Sequence, residues 1–253
     1  MYIEMQNKRS APRSASLSGA RSRYVPPKNI SEISYNELFE YCGRPVGPTQ
    51  EQLFAPRSLG DNVVYYSGDI SLLLRPCVSV IGARSASDEA LRRARKIAAL
   101  LASAGVVVTS GLAKGIDAAA HTGALGENGK TVGVIGTPLE RAYPIENAEL
   151  QETIYRDHLL LSQFAPGSRT FPSDFPKRNR LMAAVTDASV IVEASDTSGT
   201  LHQATECIRL GRWLFIMKSV VDSPLLDWPQ KFLKEERVAV LSTIEDVLSR
   251  VSK

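Results

Sequence analysis

The sequence has few of the residues that mark secreted, metal-binding or membrane proteins. Its three cysteines, Cys42, Cys77 and Cys207, are an odd number without CxxC spacing, so neither a disulfide framework nor a zinc site is predicted. No apolar run approaches the ~20 residues of a membrane helix, and the first thirty residues lack the apolar stretch of a signal peptide. We therefore expect a soluble cytoplasmic protein that does not contact membranes.

The common catalytic and cofactor motifs are also missing. The GxGxxG fingerprint does not follow the first core strand, and neither GxxxxGK[ST] nor GxSxG occurs, which disfavours nicotinamide dehydrogenases, P-loop NTPases and serine hydrolases. The three histidines, His121, His158 and His202, are not spaced as metal ligands. We expect no catalytic residue, no metal and no cofactor, and we interpret His121 as a structural imidazole inside a helix.

Positive charge is concentrated at the start of the chain. Residues 1–28 hold six Lys or Arg and one acid, Glu4, whereas the net charge of all 253 residues is +3. A basic segment with few apolar residues cannot bury enough surface to offset its ordering entropy. We predict a basic, disordered tail over 1–28, a lead-in segment over 29–60 and a core over 61–253. Both a tail that contacts nucleic acid and a solvated tail without a partner remain open.

The core alternates short β-branched runs with helix-length amphipathic stretches. Clear strands are predicted over 77–81, 106–109, 131–135, 189–193 and 213–217, with weaker ones over 63–66, 159–161 and 237–240. Helices are predicted over 88–104 and 243–250, and a short one over 33–41. This alternation is typical of βαβ units. The predicted fold is an α/β, Rossmann-like, doubly wound and mostly parallel sheet with helices on both faces, in a single core domain.

Glycine-rich and cationic turns follow the predicted strands. Open α/β sheets bind ligands at the carboxyl ends of their strands, and helix N-termini there attract anions. A further cluster surrounds Pro176, which suits the first turn of a helix. Cations crowded at such a terminus are unfavourable unless an anion or a carboxylate offsets them. Both a bound ligand and pairing with nearby acids on a solvated face remain open. The predicted phosphate-binding residues are Gly82, Arg84, Ser85, Ser110, Gly111, Lys114, Gly115, Lys177, Arg178, Asn179, Arg180, Ser198, Gly199 and Thr200.

These turns resemble the motifs of the DprA/Smf DNA-processing family. The matching stretches, in chain order, are 65–69 (LYxxGD), 80–84 (IVGSR), 110–117 with His121 (SGLARGID…H), 143–150 (YP..N..L), 175–180 (FPxRNR) and 192–200 (VVEA…SGS). The resemblance implies a Rossmann-like core related to the LOG nucleotide-binding group. It also implies a protein, usually a homodimer, that protects single-stranded DNA and helps load the RecA recombinase during transformation, competence and recombination.

The residues are compatible with that implication. Strand binding without sequence preference needs a basic groove that follows phosphates, together with aromatic rings on which bases stack. Arg84, Lys114 and the 177–180 run supply the cations. Tyr143, Phe171 and Phe175 are candidate rings, although a phenylalanine beside a proline is more often a packing residue than a surface on which bases stack.

Two alternatives use the same pocket. LOG-type phosphoribohydrolases cleave nucleoside monophosphates with a GGxGTxxE loop, whose carboxylate assists glycosidic cleavage. Gln203 stands where that glutamate is expected, and an amide cannot take a proton or carry negative charge. Glu206 lies one helical turn further on as a displaced substitute. A nucleotide-sensing module without chemistry is the other alternative.

Overall fold

The fold is organised around one nine-stranded sheet. A computed structural model describes residues 24–44 and 63–251. The strand order is β1-β2-β6-β5-β4-β3-β7-β8-β9. Strands β3 to β9 run parallel to one another. At one end of the sheet, β2 pairs antiparallel with β6, and β1 pairs antiparallel with β2. The strands are β1 Ser31–Ser34, β2 Val63–Gly68, β3 Cys77–Gly82, β4 Val107–Ser110, β5 Thr131–Ile135, β6 Leu159–Ser162, β7 Ala188–Glu193, β8 Trp213–Met217 and β9 Val238–Leu241.

Helices cover both faces of the sheet and bury two large apolar clusters. One cluster includes Leu38, Leu181 and Cys207, and the other includes Ala98, Ala120 and Val247. The predicted doubly wound α/β fold is therefore confirmed. The helices are α1 Tyr35–Tyr41, α2 Asp88–Ser103, α3 Ile116–Gly126, α4 Ala148–Asp157, α5 Asp174–Ala184, α6 Thr200–Arg209, α7 Lys218–Val221, α8 Trp228–Phe232 and α9 Glu245–Val251, with 3₁₀ turns at Ile70–Leu74 and Ile145–Asn147.

The order of strands reverses at β3. From β3 the chain builds β4, β5 and β6 on one side and then crosses to β7, β8 and β9 on the other. This reversal places the carboxyl ends of β3 and β7 next to each other, with a register shift at Gly82 opposite Glu193. Ligand crevices of open α/β sheets form at such a point.

The beginning of the lead-in segment belongs to the sheet. Ile33 and Ser34 pair with Val64 and Val63 in β1, so the helix predicted over 33–41 was wrong at its start. Helix α1 begins at Tyr35 because the Ser34 hydroxyl accepts a hydrogen bond from the main-chain N–H of Glu37 at 3.3 Å. Residues 45–60 of the lead-in and 1–23 of the predicted tail lie outside the described residues.

The last residues of the predicted tail contact helix α4. The Tyr24 hydroxyl donates to the carbonyl of Leu139 at 2.8 Å and accepts from Gln151 Nε2 at 2.9 Å. The main-chain N–H of Val25 donates to the Glu152 carboxylate, and the Tyr155 hydroxyl donates to the Val25 carbonyl, both at 2.8 Å. Tyr24 and Val25 are thus attached to the folded core.

A buried ion pair joins the lead-in segment to the amino edge of the sheet. The guanidinium of Arg44, which is 4% exposed, meets the carboxylate of Asp187 in bidentate fashion at 3.0 and 2.5 Å. It also donates to the carbonyls of Leu73 and Arg75, while Asp187 accepts from the N–H of Cys77 at 2.9 Å. This network holds the starts of β3 and β7 together.

None of the helices within 24–44 and 63–251 is long and apolar enough to cross a membrane. The longest of them, α2, has 16 residues and carries six charged residues within its first nine positions.

Replacing Asp187 with alanine should strongly destabilise the fold, because the Arg44 guanidinium would remain buried without its counter-charge. We expect urea unfolding to show a loss of about 3–5 kcal/mol. Asp222→Ala is the matched control, since it removes an exposed pair with Lys218 and should cost less than about 1 kcal/mol. Similar losses in the two variants would contradict the role assigned to the buried pair.

Candidate functional site

Two adjoining clefts open at the carboxyl edge of the sheet. Cleft A, about 940 Å³, lies between the ends of β3 and β7 and is bordered by α5, α6 and residues 223–226. Cleft B, about 440 Å³, lies beside the loops that follow β4 and β5. Arg84, Tyr143 and Phe175 line both clefts, and we call these three residues the central ridge.

The central ridge combines an exposed cation with aromatic rings. The guanidinium carbon of Arg84 is 5.3 Å from the centroid of the Phe175 ring, and the Tyr143 and Phe175 centroids are 5.5 Å apart. Tyr143 is 54% exposed. Within the described residues, no carboxylate forms an ion pair with Arg84. Its charge is therefore available to an anion that enters either cleft.

The N-terminus of α2, by contrast, already holds a carboxylate. The sequence predicts an external anion at this helix end, but Glu193 accepts hydrogen bonds there from the Ser87 N–H at 3.0 Å and the Ser87 hydroxyl at 2.7 Å. Asp88 and Glu89 add negative charge to the first turn. What remains of the predicted anion site is the side chain of Arg84 and the exposed hydroxyl-bearing Ser85, which lines cleft A.

The loop after β4 is rigidly held. Ser110 is buried and its hydroxyl donates to the Val80 carbonyl at 2.7 Å. Asn147 donates to the carbonyls of Leu112 and Ala113 at 2.8 and 3.1 Å, which secures Leu112 at a φ of 58°. Gly115 has a φ of +78°, and a Cβ there would lie 2.4 Å from the Ala83 carbonyl oxygen. The loop therefore packs directly against the loop that carries Arg84.

Lys114 projects from this loop into cleft B. Its ammonium lies 2.6 Å from the carboxylate of Glu146, and both side chains are exposed. The hydrogen bond from Lys114 lowers the pKa of Glu146 below its ordinary value. Exposed pairs of this kind are weak, so a phosphate group could compete with Glu146 for the lysine.

Arg178 is buried, unlike the residues on either side of it. Its Nη1 donates to the carbonyls of Gly111 and Val134, the latter at 2.8 Å, and its Nε donates to the Asn179 side chain at 2.8 Å. A Cβ on Gly111 would lie 2.0 Å from the same Nη1. The guanidinium thus connects the ends of β4 and β5 to α5. Arg178 also lines both clefts, but only 5% of it is exposed, and its role as a phosphate contact stays a prediction.

The other cations of α5 lie close to carboxylates of the protein. Lys177 lies 3.0 Å from a carboxylate oxygen of Asp174, which is buried in the first turn of α5. Arg180 lies 3.6 Å from Glu206. The anion that the crowded cations require is therefore supplied in part by the protein itself. Lys177 is half exposed but lines neither cleft, whereas Asn179 lines cleft A.

Helix α6 directs a less obstructed N-terminus at cleft A. Ser198, Gly199 and Thr200 all line the cleft. The Thr200 N–H donates to the Ser198 hydroxyl at 3.2 Å, and the first turn has no acid, so the helix dipole faces the cleft without a competing negative charge. The same feature attracts anions in phosphate-binding folds. Of the helix ends predicted to bind phosphate, α6 therefore fits that prediction better than α2.

The carboxylate expected of a phosphoribohydrolase is not in the cleft. Gln203 occupies the corresponding position, where its buried side-chain amide donates to the Ser79 hydroxyl at 3.2 Å. Glu206 lies between Arg180 and Arg209, at 3.6 and 3.5 Å, and is not among the residues that line cleft A. The displaced-substitute hypothesis for Glu206 therefore finds no support in the geometry.

Several lining residues were not assigned a role from the sequence. Leu225, which is 86% exposed, and Leu226 form an apolar wall of cleft A, and His202 also lines it. No periodicity or turn motif distinguishes Leu225 from a core leucine. Phe171 is exposed but lines neither cleft, so among the three predicted aromatic residues only Tyr143 and Phe175 belong to the ridge.

His121 lies beneath the site as a buried imidazole. Its Nδ1 lies 2.6 Å from the Thr131 hydroxyl, which itself donates to the Val108 carbonyl at 2.7 Å. His121 is fully buried, as expected of a structural imidazole, although its Nε2 has no hydrogen-bond partner among the described residues. Within 24–44 and 63–251, no three His, Cys, Asp or Glu side chains are grouped as metal ligands would be.

The fold and the site define a Rossmann-type α/β protein with a cationic, aromatic cleft at its topological switch point. The chain belongs to the family of DNA recombination-mediator protein A, whose model matches residues 58–252. The predicted family resemblance is therefore confirmed.

Individual relatives agree with this assignment. DNA processing protein DprA of Streptococcus pneumoniae is 37% identical over 187 residues, which cover 74% of this chain and 66% of that protein. The X-ray structure of S. pneumoniae DprA has a TM-score of 0.74 at 30% identity and covers 89% of this chain and 76% of that one. DprA of Helicobacter pylori, whose structure is described for its single-stranded DNA binding mode, has a TM-score of 0.69 at 23% identity, with coverages of 90% and 96%. At that identity the likeness shows the fold alone.

Burial of His121 should make stability depend on pH. Burial lowers its pKa to about 3 from 6.5 in the unfolded chain. Between these values the unfolded chain binds more protons, so stability falls as pH decreases below about 6.5, by about 1.4 kcal/mol per pH unit. His121→Asn keeps a donor for Thr131 but does not titrate. In urea unfolding, we expect this variant to lose about 2 kcal/mol less than wild type between pH 7 and pH 5.

His202→Asn is the control for that experiment, because it makes the same substitution at an exposed position. An unchanged pH dependence in His121→Asn would show that the buried imidazole does not titrate as described.

Proposed function

We propose that this protein binds single-stranded DNA without sequence preference. It protects the strand and assists loading of a RecA-type recombinase during DNA uptake and recombination, acting as a cytoplasmic homodimer. The observation that carries the DNA-binding proposal is the central ridge, where the exposed guanidinium of Arg84 lies between two clefts and beside two aromatic rings. A cation with stacking partners suits a phosphate followed by an unpaired base.

The positions of the other cations extend the contact to both sides of the ridge. Lys114 borders cleft B, and the N-terminus of α6 faces cleft A. A strand that crosses Arg84 would place one phosphate near Lys114 and another near Ser198 and Gly199. Because these contacts are made to the backbone, they carry little sequence information.

The aromatic part of the ridge favours single strands over duplexes. An unpaired base can stack its flat face on the ring of Tyr143 or Phe175. In a duplex those faces are already stacked on neighbouring base pairs, so they are not available to the rings. The apolar wall formed by Leu225 and Leu226 offers a second surface for an unpaired base in cleft A.

The relatives support the proposal at the level of the family. The H. pylori protein is described as binding single-stranded DNA, and the S. pneumoniae relatives are named DNA processing proteins. The chain spans 66% of the S. pneumoniae protein to which it is aligned. RecA loading, dimerisation and a role in competence are carried over from family resemblance, and no contact residue is assigned to them.

Reversal of the charge at Arg84 should remove most strand binding. Fluorescence anisotropy of a labelled oligo-dT, titrated at several salt concentrations, measures both affinity and the number of phosphate contacts, because affinity falls steeply with salt when phosphates are neutralised. We expect Arg84→Glu to weaken binding by more than about tenfold at low salt. Arg92→Glu is the matched control, since Arg92 is an exposed arginine on the flank of α2.

Competitors identify the ligand class in the same assay. Unlabelled single strands should displace the probe, whereas duplex DNA and nucleoside monophosphates should not. Displacement by a monophosphate, or no binding to oligo-dT, would favour a nucleotide sensor or hydrolase. Equal sensitivity at Arg84 and Arg92 would contradict a localised groove.

Removal of the Tyr143 ring should weaken oligo-dT binding without changing its salt dependence. Stacking of a base on an aromatic ring contributes about 1–3 kcal/mol. The tyrosine side chain has no positive charge that neutralises a phosphate, so its loss should leave the salt dependence unchanged. Phe171→Ala is the control, because Phe171 is as exposed as Tyr143 but lines neither cleft. A larger loss of oligo-dT affinity in Phe171→Ala than in the Tyr143 variant would place the stacking surface near Phe171 instead.

A further inference from the structure

Glu193 is a carboxylate at the wall of a cleft that otherwise attracts anions. It ends β7, and both its main chain and its side chain contact the neighbouring loop 83–87, which carries Arg84. The Glu193 carbonyl accepts from the Ala83 N–H at 2.8 Å. Its carboxylate accepts from the N–H and the hydroxyl of Ser87 at 3.0 and 2.7 Å. A single residue therefore holds both ends of the loop.

The loop has other contacts as well: the Ser87 hydroxyl accepts from the Ala90 N–H at 3.2 Å, and Ala86 packs against the apolar cluster that includes Ala98. Ala83 also accepts from the Ile116 N–H at 3.3 Å, and Gly115 packs against it. Across the part of the chain that the structure describes, no main-chain hydrogen bond is formed by residues 84–86. The direction in which Arg84 leaves the loop therefore depends on the two ends that Glu193 holds.

The negative charge of Glu193 is itself compensated. It lies at the N-terminus of α2, where the helix dipole stabilises an anion, and it receives two hydrogen bonds. Together with Asp88 and Glu89 in the first turn, this carboxylate makes the helix end negative, which disfavours an incoming phosphate there. The remaining attractive positions are Arg84 and the N-terminus of α6.

We propose that Glu193 is a positioning residue for strand binding: it holds loop 83–87 so that Arg84 stays on the central ridge, and it closes the N-terminus of α2 to phosphates. This inference rests on the proposed function. It predicts that removal of the Glu193 side chain weakens DNA binding. Simple electrostatics predicts the opposite, because removal of a negative charge beside a DNA-binding cleft should strengthen binding.

The test compares Glu193→Ala and Glu193→Gln by oligo-dT anisotropy at several salt concentrations. Glu193→Ala should weaken binding and reduce the salt slope by about one phosphate contact. Glu193→Gln keeps an acceptor for Ser87 and should restore most of the affinity. In an Arg84→Ala background, Glu193→Ala should have no further effect, because the residue acts through Arg84.

A second carboxylate at the site serves as the control for charge. Glu146→Gln releases Lys114 from its exposed pair and should strengthen oligo-dT binding, in contrast to Glu193→Ala. The proposal is overturned if Glu193→Ala binds as tightly as wild type or more tightly, or if its effect persists undiminished without Arg84.

Hydrogen exchange without DNA separates this inference from the proposed function. Glu193→Ala should accelerate exchange of the Ser87 amide, which loses its carboxylate acceptor. The Ala83 amide, which donates to the main-chain carbonyl of residue 193, and the core strands should stay protected, which also shows that the variant folds. Unchanged exchange of the Ser87 amide would overturn the positioning role even if wild type binds DNA. Accelerated exchange together with no strand binding by wild type would instead refute the proposed function alone.

Discussion

The geometry of the site depends on one buried guanidinium. Arg178 reaches from α5 to the carbonyls of Gly111 and Val134, at the ends of β4 and β5. Burial raises the pKa of neighbouring Asp117, while the positive charge of Arg178 opposes that rise. A buried charge is tolerated only when its donors are satisfied, so the loops that supply these carbonyls have little freedom to move. The clefts are thus preformed around an internal cation.

The protein's own carboxylates partly neutralise the cations of the carboxyl edge. Glu146 pairs with Lys114, Asp174 with Lys177, and Glu206 with both Arg180 and Arg209. Arg84 has an aromatic neighbour instead. The electrostatic attraction of the site is consequently focused at the ridge, although cationic residues are spread over several loops. A focused charge positions a strand, whereas a diffuse one only attracts it.

The sheet and the location of the site could be predicted from the sequence, but the partners of individual side chains could not. The hydrophobic periodicity of the sequence and the positions of its turns predicted β3 to β9 to within about two residues, because buried strands and amphipathic helices have strong local patterns. Ion pairs leave none: Glu146 is 32 residues from Lys114, and Glu193 is 106 residues from Ser87.

The contrast between Lys177 and Arg178 has a similar cause. Neighbouring residues on a helix point about 100° apart, so which of them is buried depends on the rotation of α5 against the sheet. That rotation is set by packing of residues such as Leu181 and Met182, which the local sequence does not specify. The predicted set of phosphate contacts therefore mixed an exposed lysine with a buried arginine.

The central position of β3 has a consequence for how the protein acquires its shape. One neighbour of β3 is β4, which follows directly, but the other is β7, and the Cys77 amide meets the Asp187 carboxylate across 110 residues of chain. Contacts between such distant segments form late and slow folding. During synthesis, cleft A has no second wall until β7 and α6 have emerged, so a nascent chain exposes the β3 edge for much of its translation.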